Sequence, residues 1–339
     1  MITSEILKSS EYDFLRENEH LGKNLILLGL GGSYSYGTNI EGSDIDVRGI
    51  TLNSKADLIG FGDFEVYTDE NTDTVVYSLK KMIPLLMSCN PNTIEILGLK
   101  KEHYLYVDDI GRSLLDNRKM FLSKRAVHSF GGYADAQLRR LQNALARDRF
   151  PQKEKEEHML KSVQNTLFSF NKRYRSFENG SMRAYTDKAE NHGLSEEIFI
   201  DADIKHYPLR DYRGMLNDLT NVIRNYEKVG KRNSKKDEKH LNKHAMHLVR
   251  LFMMALDILE KEEIITYREN EHELLMTIRN GGFMTADGCF DSSFYDMVAD
   301  YEKRLEYAAE NTALPAEPDA ERIEQFVISV SEEIIRKCR

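Results

Sequence analysis

The sequence predicts an α+β protein, with a small mixed β-sheet and flanking helices at the N-terminus and a mainly α-helical part after it. Three observations predict this. Short apolar runs bounded by turn residues crowd the first hundred positions, and long stretches of helical period follow from about Asp108 onward. The 339 residues also suffice for two domains and a sizeable core. We therefore expect one domain over residues 1–107 and a second over 108–339.

Residues 3–18 have mixed helical periodicity and predict a first helix. "NLILLGL" is short, apolar and followed by glycines, as a buried strand is. "DIDVRGITL" predicts a second strand. "FEVYT" and "DTVVYSL" predict two more, from their β-branched and aromatic content. "LKKMIPLLMSC" reads as a helix interrupted or kinked near Pro84. "NPNTIEILGL" opens on a turn signal and continues as helix. Further helices are expected over 123–147, 153–177, 209–229, 237–260 and 319–337. "GKRNSKKDEKH" is a charged loop between two of them.

Composition narrows the class. Charged residues make up 30% and apolar ones 41%, the balance of a globular chain. No apolar run reaches the length of a membrane span. The N-terminus carries Glu5, Glu11 and Asp13 where a signal peptide would be basic and then apolar. The expectation is a soluble, cytoplasmic protein. Cys89, Cys289 and Cys338 have no zinc or disulfide spacing, and Cys89 reads as a core thiol. A formal charge of −9 excludes nucleic-acid binding over the whole surface and leaves room for a local basic patch.

The stretch "LLGLGGSYSYGTNIEGSDIDVRGI" carries the chemistry. A dinucleotide fingerprint counted from Gly29 needs glycine where Tyr34 stands. A P-loop counted from Gly32 needs lysine where Thr38 stands. Both phosphate loops fail. A strand, the turn Gly31-Gly32-Ser33 and a short helix remain, and such a turn can hold phosphate through backbone N–H groups and the Ser33 hydroxyl. Positive charge must come from elsewhere. Asp44 and Asp46, two apart on a strand, share a face. Their repulsion is relieved by a cation, and hard divalent ions suit carboxylates plus phosphates. A two-metal site wants a third carboxylate. Asp73 is the first choice, with Asp63 and Glu65 as competitors.

"GGSYSYGTNIEGSDIDVRG" resembles the Gly-Ser…Asp-x-Asp signature of the DNA polymerase β-type nucleotidyltransferase superfamily. "SDIDVRGI", "NPNTIEIL", "KHAMHLVRL" and "IRNGG" are similar to its RNA repair-associated, RlaP-like branch. The resemblance implies transfer of a nucleoside monophosphate from an NTP to an acceptor hydroxyl with Mg²⁺ or Mn²⁺. Asp44, Asp46 and Asp73 would be the metal-holding, catalytic carboxylates. Gly32 and Ser33 would take the β- and γ-phosphates, and an RNA terminus would be the acceptor. The helical domain would close the nucleotide cleft. A protein or small-molecule acceptor is the alternative, and a non-catalytic nucleotide-binding scaffold is the second.

The helical half offers candidates for the missing charge. In "HLNKHAMHLVRLFMMALDIL" the positions His240, Lys243, His247 and Arg250 line up beside an apolar stripe. Lys243, His247 and Arg250 are candidate nucleotide contacts. A zinc reading of His240 and His244 lacks the glutamate and further ligands it needs. Lys231, Arg232, Lys235, Lys236 and Lys239 form the most concentrated basic loop, a candidate RNA track. Tyr133 and Gln137 share a helix face, and a similar Gly-Tyr-x-x-x-Gln segment in the related family implies that they border the nucleotide. Gly131-Gly132 in that helix suggests a close backbone approach. Asp201 and Asp203, without a glycine turn before them, read as surface or N-cap residues. Arg279 precedes a glycine helix stop.

Overall fold

The structure is a computed structural model, and it describes residues 4–149, 152–174, 181–190, 194–227 and 238–337. It is mixed α+β. A five-stranded sheet with helices comes first and a mainly helical part follows. The described chain divides into two compact units. One comprises Met1–Gln137, Ala245–Gly282 and Ser292–Arg339, the other Leu138–His244 and Phe283–Asp291.

The first unit opens with two 3₁₀ turns and the short helix α1 (Phe14–Glu17) in place of the one helix expected over 3–18. Short backbone bonds from Ser9 N to the Ile6 carbonyl, Tyr12 N to the Ser9 carbonyl and Asp13 N to the Ser10 carbonyl divide the run into separate turns. Strand β1 (Leu25–Leu30) is buried along its whole length, as its uninterrupted apolar sequence requires. Helix α2 (Gly32–Tyr36) follows at once, and Gly37 closes it in the left-handed conformation at φ +72°. Strand β2 (Val47–Thr51) is shorter than expected, so Asp44 and Asp46 precede the strand.

Ser54 and Asp57 form a reciprocal capping box at the start of α3 (Lys55–Ile59). Strands β3 (Val66–Asp69) and β4 (Thr74–Ser78) fall where the sequence puts them. Helix α4 (Leu79–Met87), N-capped by Ser78, runs through Pro84 without interruption. The "NPNTIEIL" segment gives one helical turn, α5 (Pro91–Ile94), then a 3₁₀ turn over Glu95–Gly98. Asn90 caps α5 and Pro91 takes its first position, where a missing N–H is harmless. Strand β5 (Tyr104–Val107) and helix α6 (Asp109–Asp116) complete this region, and neither is marked by a clear sequence period.

The sheet order is β3-β4-β2-β1-β5. Only β2 and β4 are parallel, with Val47 opposite Thr74 and Thr51 opposite Ser78. β1 is antiparallel to β2 and β5, and β3 to β4. One core cluster joins Leu25, Leu28, Leu30, Val47 and Val76 of the sheet to Tyr12, Leu15 and Leu21. Burying each such side chain contributes about 1.5–3 kcal/mol. Cys89 is fully buried as expected, and burial pushes its thiol pKa up.

Helix α7 (Arg125–Arg149) starts in the first unit. Its glycines do not mark a close approach. A Cβ at Gly132 would meet nothing within 4 Å, and one at Gly131 would only touch Leu305 at 3.8 Å. Among the described residues no helix is long and apolar enough to cross a membrane.

The second unit contains helix α8 (Gln152–Arg173), a hairpin of β6 (Met182–Lys188) and β7 (Glu196–Ala202), and α9 (Leu209–Glu227). The hairpin lies between the helices expected over 153–177 and 209–229, where no strand was expected. Its inner residues Met182 and Ala184 pack with Val163, Leu167 and Phe170 of α8 and Met215 and Leu219 of α9. Asp201 lies on β7, ion-paired to Arg183 of β6 at 2.6 Å, so it caps no helix. Helix α10 (Glu238–Leu256) ends in a π-helical turn over Asp257–Lys261. Helices α11 (His272–Arg279), α12 (Ser292–Asn311) and α13 (Ala320–Lys337) complete the described chain.

Candidate active site

The site is built at one end of the five-stranded sheet, from residues that all belong to the first unit. Strand β1 ends at Leu30, and the Gly31 N–H donates to the Asp46 carbonyl at 2.8 Å. That bond extends the β1–β2 ladder by one step and fixes the Asp-x-Asp segment against the glycine turn. Gly32 has φ +54°, and a Cβ there would stand 1.9 Å from Asp46 Oδ2. Glycine is therefore required twice, for its backbone conformation and for the space the carboxylate takes. Ser33 is half-buried in the first turn of α2.

Register sets the candidate third carboxylates at different ends of the sheet. The parallel β2–β4 pairing sets Val47 opposite Thr74, so Asp73 sits beside Asp46 at the entry of both strands. Glu65 pairs backbone with Ser78 at the exit of β4 and holds Lys81 at 2.8 Å. Asp63, two residues earlier and exposed, belongs to the same far end. Arg48 binds both carboxylates at the near end. Its guanidinium donates to Asp46 Oδ1 at 2.9 Å and to Asp73 Oδ1 at 3.3 Å, and also to the Asp73 carbonyl at 2.5 Å. Asp73 has φ +45° and is half-exposed, and Asp44 is exposed.

The donors here are hard carboxylate oxygens, the class that a divalent ion such as Mg²⁺ accepts. The donor chemistry fits such an ion. Among the described residues, however, no three His, Cys, Asp or Glu side chains gather as a ready metal cluster. Asp73 is committed to Arg48.

A second layer lies behind the glycine turn. Tyr36, on the last turn of α2, is buried, and its hydroxyl donates to Glu95 Oε2 at 2.7 Å. That hydroxyl also lies 2.7 Å from Met254 Sδ. Arg250 of α10 lies over the Tyr36 ring, its Cζ 3.5 Å from the centroid, and its guanidinium meets His247 Nδ1 at 2.7 Å. Burial pushes the Glu95 carboxyl above its ordinary range. The charges of Arg250 and Arg48 and the Tyr36 hydrogen bond pull it back, while Asp46 pushes it up. Burial and Glu95 together hold the Tyr36 phenol well above 10.0. Glu95 thus feels both halves of the site. The sequence did not single it out. Its only neighbours in sequence that hint at burial are Ile94, Ile96 and Leu97, which flank it.

Other expected residues fall as follows. Tyr133 receives a long bond from Asn90 Nδ2 at 3.5 Å, just before the α5 turn that leads to Glu95. Gln137, one turn further along α7, is buried, and its Oε1 meets no donor. Lys243 and His240 are exposed on the part of α10 that belongs to the second unit. Lys239 is exposed, whereas Lys231, Arg232, Lys235 and Lys236 lie outside the described residues. Arg279 donates to the Thr38 carbonyl at 2.8 Å and so ties α11 to the segment after α2.

A glycine-serine turn closed on an Asp-x-Asp segment at the end of a small mixed sheet is similar to the arrangement in nucleotidyltransferases of DNA polymerase β type. Residues 8–163 match the model of RlaP, the RNA repair pathway DNA polymerase beta family. The match holds the whole five-stranded sheet, Asp44, Asp46, Asp73 and Glu95. No curated protein and no solved structure matches the chain. The family implies nucleotidyl transfer in an RNA repair context with a divalent metal.

Proposed function

We propose that this chain moves a nucleoside monophosphate from an NTP to an acceptor hydroxyl, and that the acceptor is an RNA terminus. The observation that supports this most is the contact of the Gly32 backbone with the Asp46 carboxylate. In this reading the turn that would hold phosphate stands beside an acidic group. The acceptor oxygen bonds to the α-phosphorus as the bond to the bridging oxygen breaks, and pyrophosphate leaves.

In this reading Ser33 and the N–H groups of the turn hold the β- and γ-phosphates. Arg250, with His247 at its edge, adds the cationic charge that the turn lacks. Tyr133 and Gln137 border the nucleotide. Asp44, Asp46 and Asp73 would hold Mg²⁺ or Mn²⁺. When bound, the metal neutralises phosphate charge and acidifies the acceptor hydroxyl. What the chain itself contributes is placement and fixed electrostatics. The RNA acceptor rests on the repair context of the family.

The test is incubation of the full chain with each α-labelled NTP, Mg²⁺ or Mn²⁺, total RNA and lysate protein, beside Asp46→Asn. Label on RNA that vanishes in the variant is the expected result. Label on protein or on a small molecule would move the acceptor. No label anywhere, with NTP still bound, would leave a scaffold.

A further inference from the structure

We propose that Tyr36 and Glu95 are positioning residues that present the Arg250 guanidinium to the polyphosphate of the nucleotide. This rests on the nucleotidyltransferase reading and deepens it, because it names how the missing positive charge is supplied.

The cations around the site are mostly spent. Arg48 is bound to Asp46 and Asp73. Arg268 and Lys261 are bound to Asp257. Lys81 is bound to Glu65, and Arg279 to a carbonyl. Arg250 differs. It is half-buried, and its described contacts are the neutral Tyr36 ring and His247, with no ion-pair partner among the described residues. With Cζ 3.5 Å from the ring centroid and one terminal nitrogen at His247, the guanidinium keeps further N–H groups, and these match phosphate oxygens two at a time.

The ring must be held still for this to work. Tyr36 is 2% exposed and its hydroxyl is anchored on Glu95. Glu95 in turn follows the Asn90-capped turn of α5. Tyr36 and Ser33 are one helical turn apart on α2, so the shelf under Arg250 and the phosphate turn are one rigid piece. Glu95 is close enough to Arg250 to be felt as a charge, but it forms no ion pair with it. The guanidinium is thus oriented without being neutralised.

The experiment is calorimetric titration of the full chain with inorganic tripolyphosphate and with NTP in the presence of Mg²⁺. Arg250→Ala is expected to weaken both at least tenfold, and Arg250→Lys to recover little, since an ammonium cannot stack as a plate. Tyr36→Leu should weaken binding in the parent but add nothing in the Arg250→Ala background, because it acts through that side chain. Tyr36→Phe keeps the volume and the shelf and loses only the anchor, so it should fall between parent and Tyr36→Leu. Glu95→Gln, which still accepts the hydroxyl bond, should restore what Glu95→Leu loses. In turnover these variants raise KM for NTP more than they lower kcat. Equal losses from Tyr36→Phe and Tyr36→Leu in both Arg250 backgrounds would overturn the proposal, since they would mean a structural role alone. So would unchanged binding in Arg250→Ala while the parent binds. A parent that binds neither probe would overturn the nucleotidyltransferase reading itself, and this inference with it.

Discussion

Gly32 and Asp46 occupy each other's space: the backbone of one lies where only a residue without a Cβ allows the carboxylate of the other. The Gly31 N–H to Asp46 carbonyl bond keeps the two segments together at that point. A change on either side is therefore felt on both.

Gly32→Ala tests this. The left-handed backbone at φ +54° costs a residue with a Cβ about 1–2 kcal/mol, and the methyl must also displace Asp46. The expected result is a lowered melting temperature and nucleotidyl transfer reduced at least tenfold. Gly42→Ala is the control. Gly42 also has positive φ, +78°, but a Cβ there meets nothing within 4 Å. It should lose stability and keep activity. Thermal melts and the labelling assay read the two apart, and normal transfer by Gly32→Ala would remove the contact from the mechanism.

The strand register yields a second prediction. Asp73 lies at the Asp46 end of β4 and Glu65 at the other. Asp73→Asn should lower transfer by about 10²-fold or more, the size seen when one electrostatic group of an active site is removed. Glu65→Gln should stay within twofold of the parent. Single-turnover rates at saturating NTP check it. The reverse ranking would transfer the role of third carboxylate to Glu65.

These relationships were not equally legible beforehand. β1 and the turn announce themselves locally, because six buried residues, five of them leucine or isoleucine, followed by two glycines admit few other readings. Asp44 and Asp46 are visible as an i, i+2 pair, although strand pairing starts only at Val47. Asp73 could be nominated from its place before β4, but only the parallel register separates it from Glu65. Glu95 could not be singled out. Its meaning depends on Tyr36 and Arg250, which the chain brings from distant positions. The β6–β7 hairpin was missed for another reason. Its strands are half-exposed and mix one aromatic residue each with several charges, so alternation is weak in "MRAYTDK" and "EEIFIDA". In Arg48, a residue quoted only as part of a motif is the one that holds two carboxylates.

Acid should reveal the capping box at α3. Burial alone would raise the Asp57 pKa, but bonds from the Ser54 hydroxyl, the Ser54 N–H and the Phe64 N–H outweigh it and hold the group below 3.8. A depressed carboxylate contributes stability above its unfolded value and loses it as pH falls through the folded one. Asp57→Asn should therefore cost about 0.5–2 kcal/mol near neutrality. The gap to the parent should close as the pH drops below about 4, since both chains then lack the charge. Urea unfolding across pH 3–7 checks this, and a gap independent of pH would show that the ionised form is not what caps the helix.

The last prediction concerns the ion pair under α2. Asp257 and Arg268 are 4% and 2% exposed, and the Asp257 carboxylate accepts from Arg268 and, at 2.7 Å, from Lys261. A buried pair of this kind adds little over a well-packed apolar pair, but losing one partner strands the other charge. Asp257→Asn should destabilise the chain by about 3–5 kcal/mol. Lys261→Ala should cost no more than about 1 kcal/mol, since Lys261 is half-exposed and screened by solvent. The effect should also reach the site. The Arg268 N–H donates to the Tyr36 carbonyl at 3.3 Å, so a displaced Arg268 loosens the end of α2 from which Tyr36 supports Arg250. Denaturant titration with NTP titration on the same samples decides the matter: Asp257→Asn should show lower stability together with a raised dissociation constant for NTP, and Lys261→Ala should show neither. Lost stability with unchanged NTP binding in the folded fraction would confine the pair to the fold and separate it from the site.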